Sequence, residues 1–324
     1  MNTTTRKIGC SLPLHLPKPK IITLDAYNTL YSTKVPVMQK YCEFGVKYGL
    51  DINIPIDCKK MEQSFPSIFK KINNKYPQYG KKCGLTPEEW WSKLIIECFQ
   101  SVLPHISEKR GLPDGLLDDI LASFETSQVY AIYPDLIPFL EYCKNNDIVL
   151  GIASNTDPIM CKLIRNLGID LYFINDNNSN VYLSYDLEIK KPNKLFFDYI
   201  LKRVIYQDKS LTKNMKHDNI DELKKHCYHI GDEKHNDMEG ASNAGWNGIL
   251  LDRMNKYGYF GTDIYKSKSS VPIETQLAID KIDNNLEQAW VTCLQNKNKI
   301  ITAGPNQFVI STFQTLTDLF QQQE

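Results

Sequence analysis

The chain has 324 residues, of which 42% are hydrophobic, and its 38 basic residues balance 38 acidic ones. A chain of this length can form one large domain or two of medium size. Because the formal net charge is zero, no overall positive field favours nucleic acid or an anionic membrane surface. No apolar run reaches the roughly 18 residues that span a bilayer. The nine cysteines have irregular spacing and no C-x-x-C pair, which is typical of reduced thiols in an intracellular protein.

Residues 1–19 are predicted to be an N-terminal extension. They contain basic but no acidic residues, a composition found in mitochondrial leaders. Pro13, Pro17 and Pro19 disfavour a long amphipathic helix there. We therefore expect an intracellular, cytoplasmic protein, with the nucleus as a further compartment and mitochondrial import as the alternative.

The first predicted element is a buried strand within residues 20–30. From residue 35 to residue 130, apolar side chains recur at helical spacing and no strand pattern interrupts them. Thr86 and Glu89 can form a capping box at the start of one of these helices. Residues 35–130 are therefore predicted to be a helical domain inserted into a core that consists of residues 20–34 and 131–324.

After residue 131, helices and short apolar strands alternate. Strands are predicted at 148–153, 171–174, 228–230 and 248–251, and helices at 138–144, 159–167, 192–204 and 237–244. This alternation predicts an α/β fold with a Rossmann-like, doubly wound parallel sheet. An edge strand at 308–310 and a closing helix at 316–320 complete the core. The polar stretch 206–227 and the mixed, weakly periodic stretch 255–306 are predicted insertions.

Polar side chains that are candidates for catalysis or ligand binding follow the predicted strands. They are Asp25 and Thr29 after the first strand, Ser154 and Asn155 after the strand at 148–153, Lys191 before the helix at 192–204, and Asp232 and Asp237 after the strand at 228–230. Because ligands bind at the carboxyl edge of open α/β sheets, we expect these side chains to converge. Three carboxylates at one point would suit Mg²⁺.

The order of these segments resembles the four motifs of the haloacid dehalogenase superfamily, which are D-x-D-x-T, a Ser or Thr at a strand end, a Lys, and G-D-x-x-x-x-D. The resemblance covers about residues 20–30 and 130–252. It places that family's cap domain at 35–130, where the cap would close over the site and exclude water.

The resemblance also implies roles for individual residues. Asp25 would be the nucleophile and Lys191 a catalytic point charge. Mg²⁺ would be bound by Asp25, Asp232, Asp237 and the backbone carbonyl of Tyr27. The residues expected to bind the phosphoryl group or the rest of the substrate are Tyr27, Thr29, Ser154, Asn155 and Lys191.

Position 27 departs from the pattern of family phosphatases. Their second Asp protonates the leaving oxygen and activates water, but this chain has Tyr27. The segment from Asp25 to Thr29 is similar to the D-x-Y-G-T of haloacid dehalogenases, which need no metal and lack the Gly-Asp that this chain has at Gly231 and Asp232. The combination resembles the eukaryotic haloacid-dehalogenase-like hydrolase domain-containing proteins, in which the second acid can also be missing.

Three functions fit this combination. The first is a Mg²⁺-dependent phosphatase of low or specialised activity that forms an aspartyl-phosphate at Asp25. The second is a protein with impaired catalysis that binds a phosphorylated ligand or a partner, and the third is a carbon–halogen hydrolase. The expected partner is a small phosphorylated molecule, with no nucleic acid and no membrane. The oligomeric state and the substrate stay open.

Overall fold

The computed structural model describes residues 4–7, 16–51, 55–103, 106, 111–174, 178–212, 220–261 and 286–322. These residues fall into two compact units. The core unit takes its residues from Met1–Ser32, Ile132–Asn155 and Ile169–Glu324, and the helical unit from Thr33–Ala131 and Thr156–Gly168. Most of the predicted extension 1–19 and parts of both predicted insertions, 213–219 and 262–285, lie outside the described residues.

The described α-helices are numbered here in chain order. They are α1 (Val37–Lys47), α2 (Cys58–Lys75), α3 (Pro87–Val102), α4 (Leu116–Ser123), α5 (Leu136–Asn145), α6 (Ile159–Asn166), α7 (Ser184–Leu187), α8 (Lys194–Gln207), α9 (Ile220–Lys224), α10 (Gly240–Asn243), α11 (Leu286–Leu294) and α12 (Phe313–Gln321). A single π-helical turn, Lys234–Glu239, leads directly into α10.

Ten strands are described. They are β1 (Thr4–Lys7), β2 (Ile21–Leu24), β3 (Tyr31–Thr33), β4 (Tyr130–Ile132), β5 (Val149–Ser154), β6 (Val181–Leu183), β7 (Cys227–Gly231), β8 (Asn247–Leu251), β9 (Lys299–Gly304) and β10 (Gln307–Ile310). Eight of them form one sheet in the order β1-β9-β10-β8-β7-β2-β5-β6, and β3 pairs with β4.

The sheet of the core unit is mostly parallel, as the sequence predicted. Strands β10, β8, β7, β2, β5 and β6 pair in parallel, and β9 and β1 add two antiparallel strands at one end. All residues of β2, β7 and β8 are buried, as expected for parallel strands that are covered on both faces. The expected edge position of residues 308–310 is wrong, because β10 has neighbours on both sides.

One predicted strand is absent from its expected place. Residues Asp170–Tyr172 form a 3₁₀ turn, and the strand that pairs with β5 is β6, further along the chain. Leu171 is 82% exposed, so the apolar run at 171–174 does not form a buried strand. A short apolar run does not by itself determine whether the segment pairs with a sheet.

The helical unit is built around buried aromatic residues. Trp90 is fully buried and packs edge-on against Phe69, Tyr79 and Trp91. The capping box predicted at Thr86 and Glu89 is present, which satisfies two backbone donors at the start of α3. This unit therefore has its own hydrophobic core.

Two features of the helical unit differ from the sequence prediction. Residues Thr156–Gly168 belong to it, although the prediction placed them in the core. Asp157 accepts a hydrogen bond from the Trp91 indole at 2.8 Å, and Asn166 donates to the Glu125 carbonyl. Cys42 and Cys58 form a disulfide, where the sequence predicted reduced thiols.

No helix within the described ranges is long and apolar enough to cross a bilayer. The longest described helix is α2, which has 18 residues.

A buried ion pair joins three distant segments of the core unit. Arg253, in the loop after β8, makes two hydrogen bonds to Asp135 at 2.9 and 3.1 Å, and both side chains are nearly inaccessible. The backbone N–H of Phe313 at the start of α12 also donates to Asp135 at 2.7 Å. The Arg253 guanidinium lies 3.9 Å from the centre of the Tyr133 ring, which adds a cation–π contact.

Replacing Asp135 by Ala is expected to lower the free energy of unfolding by about 3–5 kcal/mol, because it leaves a buried guanidinium without its counter-charge. Urea denaturation followed by circular dichroism measures this loss. The matched control is Glu222→Ala, which breaks an exposed pair with Lys225 and should leave stability close to that of the wild type. Equal effects of the two substitutions would contradict the importance of the Asp135 pair.

Candidate active site

The candidate site lies at the carboxyl ends of three neighbouring strands. Strand β2 lies between β7 and β5, and Leu24 at its end is in register with Ile230 and Ile152. The Asp25 N–H continues the ladder by donating to the Ile230 carbonyl at 2.8 Å. The residues that follow β2 and β7 are therefore neighbours, although about two hundred residues separate them in the chain.

Three carboxylates meet at this edge. Asp25, Asp232 and Asp237 each offer an oxygen, and these oxygens lie within 4.8 Å of one another. Asp232 and Asp237 are buried, whereas the Asp25 side chain is 13% exposed. The described residues thus form the acidic cluster that the sequence predicted, with Asp25 the most accessible of the three to a ligand.

Lys191 lies between two of these carboxylates. Its ammonium is 2.8 Å from Asp25 Oδ1 and 2.6 Å from Asp237 Oδ1, and its side chain is only 2% exposed. The Asn155 side chain fixes the Lys191 backbone, since it accepts from the N–H at 2.8 Å and donates to the C=O at 3.0 Å. Asn155 therefore determines where Lys191 lies.

The glycine before Asp232 allows Asp237 to approach the strand. A Cβ atom at Gly231 would lie 2.2 Å from the Asp237 carboxyl carbon, far inside van der Waals contact. The π-helical turn returns Asp237 toward β7, and the Glu233 N–H donates to Asp237 Oδ2 at 2.8 Å. Gly231 is thus a steric requirement of the site.

His229 is fully buried in β7 and contacts the cluster through Asp237. Its Nδ1 is 2.9 Å from the Thr23 hydroxyl, and its Nε2 is 3.0 Å from Asp237 Oδ1. Burial, with Lys191 as the second cause, lowers the pKa of His229 to about 4, so the ring is neutral. The Lys191 ammonium also lies 3.3 Å from Nε2, so Asp237, Lys191 and His229 form one buried network.

Burial dominates the electrostatics of two carboxylates. It raises the pKa of Asp25 to about 6, against the opposing effect of Lys191. It also raises the pKa of Asp232 to about 7, against the opposing effect of Lys256. Burial therefore opposes full ionisation of the cluster, and a further cation beside these carboxylates would favour their ionised form.

For Asp237 and Lys191, in contrast, neighbouring charges and hydrogen bonds outweigh the effect of burial on the pKa. Burial opposes the charge on Asp237, but Lys191 and His229 outweigh it and lower the pKa of that carboxyl. Burial likewise opposes the charge on Lys191, but Asp237 and Asp25 outweigh it and raise the pKa of the ammonium. This pair stays ionised at neutral pH.

The structure brings together four of the predicted site residues, Asp25, Lys191, Asp232 and Asp237. Asn155 reaches the cluster through the Lys191 backbone. The remaining candidates lie on the same segments: Ser154 is the buried last residue of β5, Thr29 is buried four residues after Asp25, and Tyr27 is partly buried between them in sequence. The Thr29 hydroxyl has no hydrogen-bond partner within the described part of the chain.

Sequence reasoning missed two residues of the site. One is His229, whose only signal is a polar residue inside the buried strand that leads to Gly231. The other is Lys256, whose ammonium donates to Asp232 Oδ2 at 3.0 Å. Lys256 lies in a polar stretch without periodicity, and no local pattern connects it to the acids.

A sequence model of the haloacid dehalogenase-like hydrolases matches residues 19–245. The chain belongs to this family. The match includes Asp25, Lys191, Asp232 and Asp237, and it covers the helical unit as well as most of the core unit. Membership agrees with the order of motifs that the sequence shows and with the mostly parallel sheet.

Several known proteins are similar to this chain along most of its length. The uncharacterized Saccharomyces cerevisiae protein YMR130W is 42% identical over 305 residues, which cover 94% of this chain and 93% of that protein. Haloacid dehalogenase-like hydrolase domain-containing protein 3 of Xenopus laevis is 25% identical over 232 residues, covering 72% and 84%. A 2-haloacid dehalogenase of Pseudomonas syringae pv. tomato has the same fold, with a TM-score of 0.51, 17% identity and coverage of 94% and 100%.

Replacing Lys191 by Met in metal-free protein is expected to destabilise it, and more at pH 8 than at pH 5. Without the ammonium, Asp25 and Asp237 lose their counter-charge, so their pKa values rise in the folded state. The folded variant then binds more protons than the unfolded chain, and its stability falls as the pH rises. We expect a loss of about 3–5 kcal/mol at pH 8.

Urea denaturation at the two pH values measures this difference. Lys190→Met is the matched control, since Lys190 is the exposed neighbour of Lys191 and should have little effect at either pH. A loss for Lys191→Met that is the same at pH 5 and pH 8 would argue against the charge balance described here.

Proposed function

We propose that this haloacid dehalogenase-like hydrolase is a Mg²⁺-dependent phosphatase of low or specialised activity, which acts through an aspartyl-phosphate at Asp25. The observation that carries the proposal is the convergence of Asp25, Asp232 and Asp237 within 4.8 Å, with Lys191 in contact with two of them. A carbon–halogen hydrolase needs a carboxylate nucleophile but does not need Asp232 and Asp237.

The donor set fits Mg²⁺. Hard oxygen ligands in a small, buried cluster are what this ion prefers, and Asp25, Asp232, Asp237 and the Tyr27 carbonyl would hold it. Asp25 and Asp232 each have one oxygen bonded to a lysine and a second oxygen that can face a cation. When bound, Mg²⁺ supplies the positive charge that lets a carboxylate approach a phosphate dianion.

Asp25 would attack the phosphorus atom. The new bond joins a carboxylate oxygen to phosphorus, the bond from phosphorus to the leaving oxygen breaks, and water later hydrolyses the acyl phosphate. Lys191 fixes Asp25 through Oδ1 and thus orients the carboxylate for attack. Its ammonium donates to Asp25 and Asp237 and lies 3.3 Å from His229 Nε2, and we propose that its positive charge also stabilises the phosphoryl oxygens.

The substrate is proposed to be a small phosphorylated molecule, with no nucleic-acid or membrane partner. Ser154 and Thr29 lie on the segments that carry the cluster, and their hydroxyls are suited to bind phosphoryl oxygens. The unpartnered Thr29 hydroxyl supports this assignment, because a buried polar group without a partner costs free energy unless a ligand satisfies it.

Replacing Asp25 by Asn should reduce Mg²⁺-dependent hydrolysis of p-nitrophenyl phosphate to background, since losing a nucleophile typically costs 10⁴-fold or more, to order of magnitude. Purified protein is assayed with and without Mg²⁺. Asp221→Asn serves as the control, because that carboxylate is 89% exposed. Turnover that survives unchanged in Asp25→Asn would mean that the protein does not use this nucleophile.

A second candidate function is the binding of a phosphorylated ligand or partner without turnover. The observation that favours it is Tyr27, which stands where family phosphatases have their acid–base Asp. A phenol with an ordinary pKa of about 10 is a poor base at neutral pH, and losing general acid–base help costs about 10²–10⁴ in rate. The cluster could therefore recognise a phosphate more effectively than it cleaves one.

Replacing Tyr27 by Asp separates the two candidates. If the rest of the site is competent, the new carboxyl group should raise phosphatase activity by about 10²–10⁴, measured as kcat on p-nitrophenyl phosphate. Tyr27→Phe is the matched control, because it removes the phenol without adding an acid and should produce no gain. No gain in a folded Tyr27→Asp protein would favour the binding function.

A further inference from the structure

We propose that Lys256 determines which divalent cation the acidic cluster prefers, because it holds one oxygen of Asp232 and leaves that carboxylate a single oxygen for the ion. The consequence is a preference for Mg²⁺ over Ca²⁺. The inference rests on the proposed function only in requiring that the cluster binds a divalent cation.

Lys256 and Asp232 form a buried pair. The ammonium donates to Asp232 Oδ2 at 3.0 Å, and the two side chains are 1% and 4% exposed. Within the described residues, the hydrogen bonds of the Asp232 carboxylate go through Oδ2 alone. Releasing Oδ2 to a cation would break this buried ion pair, which costs several kcal/mol, to order of magnitude.

The loop after β8 fixes Lys256 in this position. The backbone N–H groups of Lys256 and Tyr257 donate to the two oxygens of Asp252 at 2.7 and 3.0 Å. The Phe260 N–H donates to the side chain of Asn255 at 3.1 Å. The backbone of Lys256 and of its neighbour Tyr257 is therefore anchored by Asp252. This anchoring limits the movement of the Lys256 side chain away from Asp232.

The same loop is tied to the metal-binding turn. The Tyr257 hydroxyl accepts a hydrogen bond from the Lys234 N–H at 3.1 Å, and Lys234 begins the π-helical turn that carries Asp237. The distance between Lys256 and the acidic cluster is thus set by direct contacts from two sides. A cation that enters the cluster meets Asp232 with Oδ2 already bonded.

The other two carboxylates are restricted in a similar way. Lys191 holds Oδ1 of Asp25. Asp237 accepts from Lys191 through Oδ1 and from the Glu233 N–H through Oδ2. No carboxylate of the described cluster therefore offers two unoccupied oxygens to one ion.

Single-oxygen ligation favours the smaller cation. Mg²⁺ takes six ligands in near-ideal octahedral geometry, keeps several waters and needs few protein oxygens. Ca²⁺ takes six to eight oxygens and commonly uses carboxylates in bidentate fashion. A cluster in which Lys256 blocks bidentate ligation by Asp232 loses more Ca²⁺ affinity than Mg²⁺ affinity.

The test is a titration of metal-free protein with Mg²⁺ and with Ca²⁺ by isothermal titration calorimetry. Lys256→Met removes the donor and should raise Ca²⁺ affinity about tenfold relative to Mg²⁺. Lys234→Met is the matched control, because it removes an equal charge from the same region without touching Asp232; its side chain is 11% exposed and 3.9 Å from Glu239. It should shift both affinities by a similar factor.

The outcomes separate this inference from the proposed function. Failure of the wild type to bind either ion would overturn both. Binding of both ions, with a Ca²⁺ to Mg²⁺ ratio that Lys256→Met leaves unchanged or that Lys234→Met changes equally, would overturn the role of Lys256 alone.

A crystal of the wild-type protein soaked with Ca²⁺ gives an answer even if Lys256→Met does not fold. We expect Asp232 to bind the ion through one oxygen while Lys256 keeps its bond to the other. Bidentate ligation by Asp232, or displacement of the Lys256 ammonium from it, would refute the inference.

Discussion

The site depends on one buried ammonium. Lys191 lies between Asp25 and Asp237, and without it two carboxylates would face each other in a poorly solvated place. Their mutual repulsion and their burial both oppose ionisation. The structure accordingly secures Lys191 at both ends, since Asn155 fixes its backbone and the carboxylates fix its charge. A nucleophilic Asp25 needs this arrangement, because a protonated carboxyl group cannot attack phosphorus.

Two further polar residues, His229 and Lys256, also contact the buried carboxylates. His229 is neutral and joins Asp237 to the Thr23 hydroxyl of the adjacent strand. Lys191 and His229 both contact Oδ1 of Asp237, and the Glu233 N–H binds Oδ2. Lys256 neutralises Asp232 from the opposite side. Burial nevertheless raises the pKa of Asp25 and of Asp232. A divalent cation would lower both, and it would convert a partly protonated cluster into an ionised one.

Tyr27 is the residue at which this chain departs from the motif of family phosphatases. Asp25, Lys191, Asp232 and Asp237 converge, and under the proposed function they would bind and position a phosphate. The group that moves a proton in family phosphatases is replaced. Activity then depends on a substrate whose leaving group needs little protonation, or on a proton from another source.

Many of the strands and helices, and the acidic residues of the site, could be predicted from the sequence because local sequence patterns indicate them. Buried parallel strands such as β7 read as apolar runs, Thr86 and Glu89 mark a helix start, and an acid directly after a strand must lie at the sheet edge, which accounts for Asp25 and Asp232. Partners that come from distant segments could not be predicted. Thr23 and His229 are 206 residues apart, and Lys256 reaches Asp232 only through the fold of its loop. The strand predicted at 171–174 was wrong for the same reason. Whether a short apolar segment pairs with a sheet depends on which segments the tertiary packing brings close to it. Sequence thus determined the helices, the strands and the acidic residues at the strand ends. Tertiary structure decided which lysines and which hydrogen bonds hold those acidic residues in place, because these partners come from distant segments.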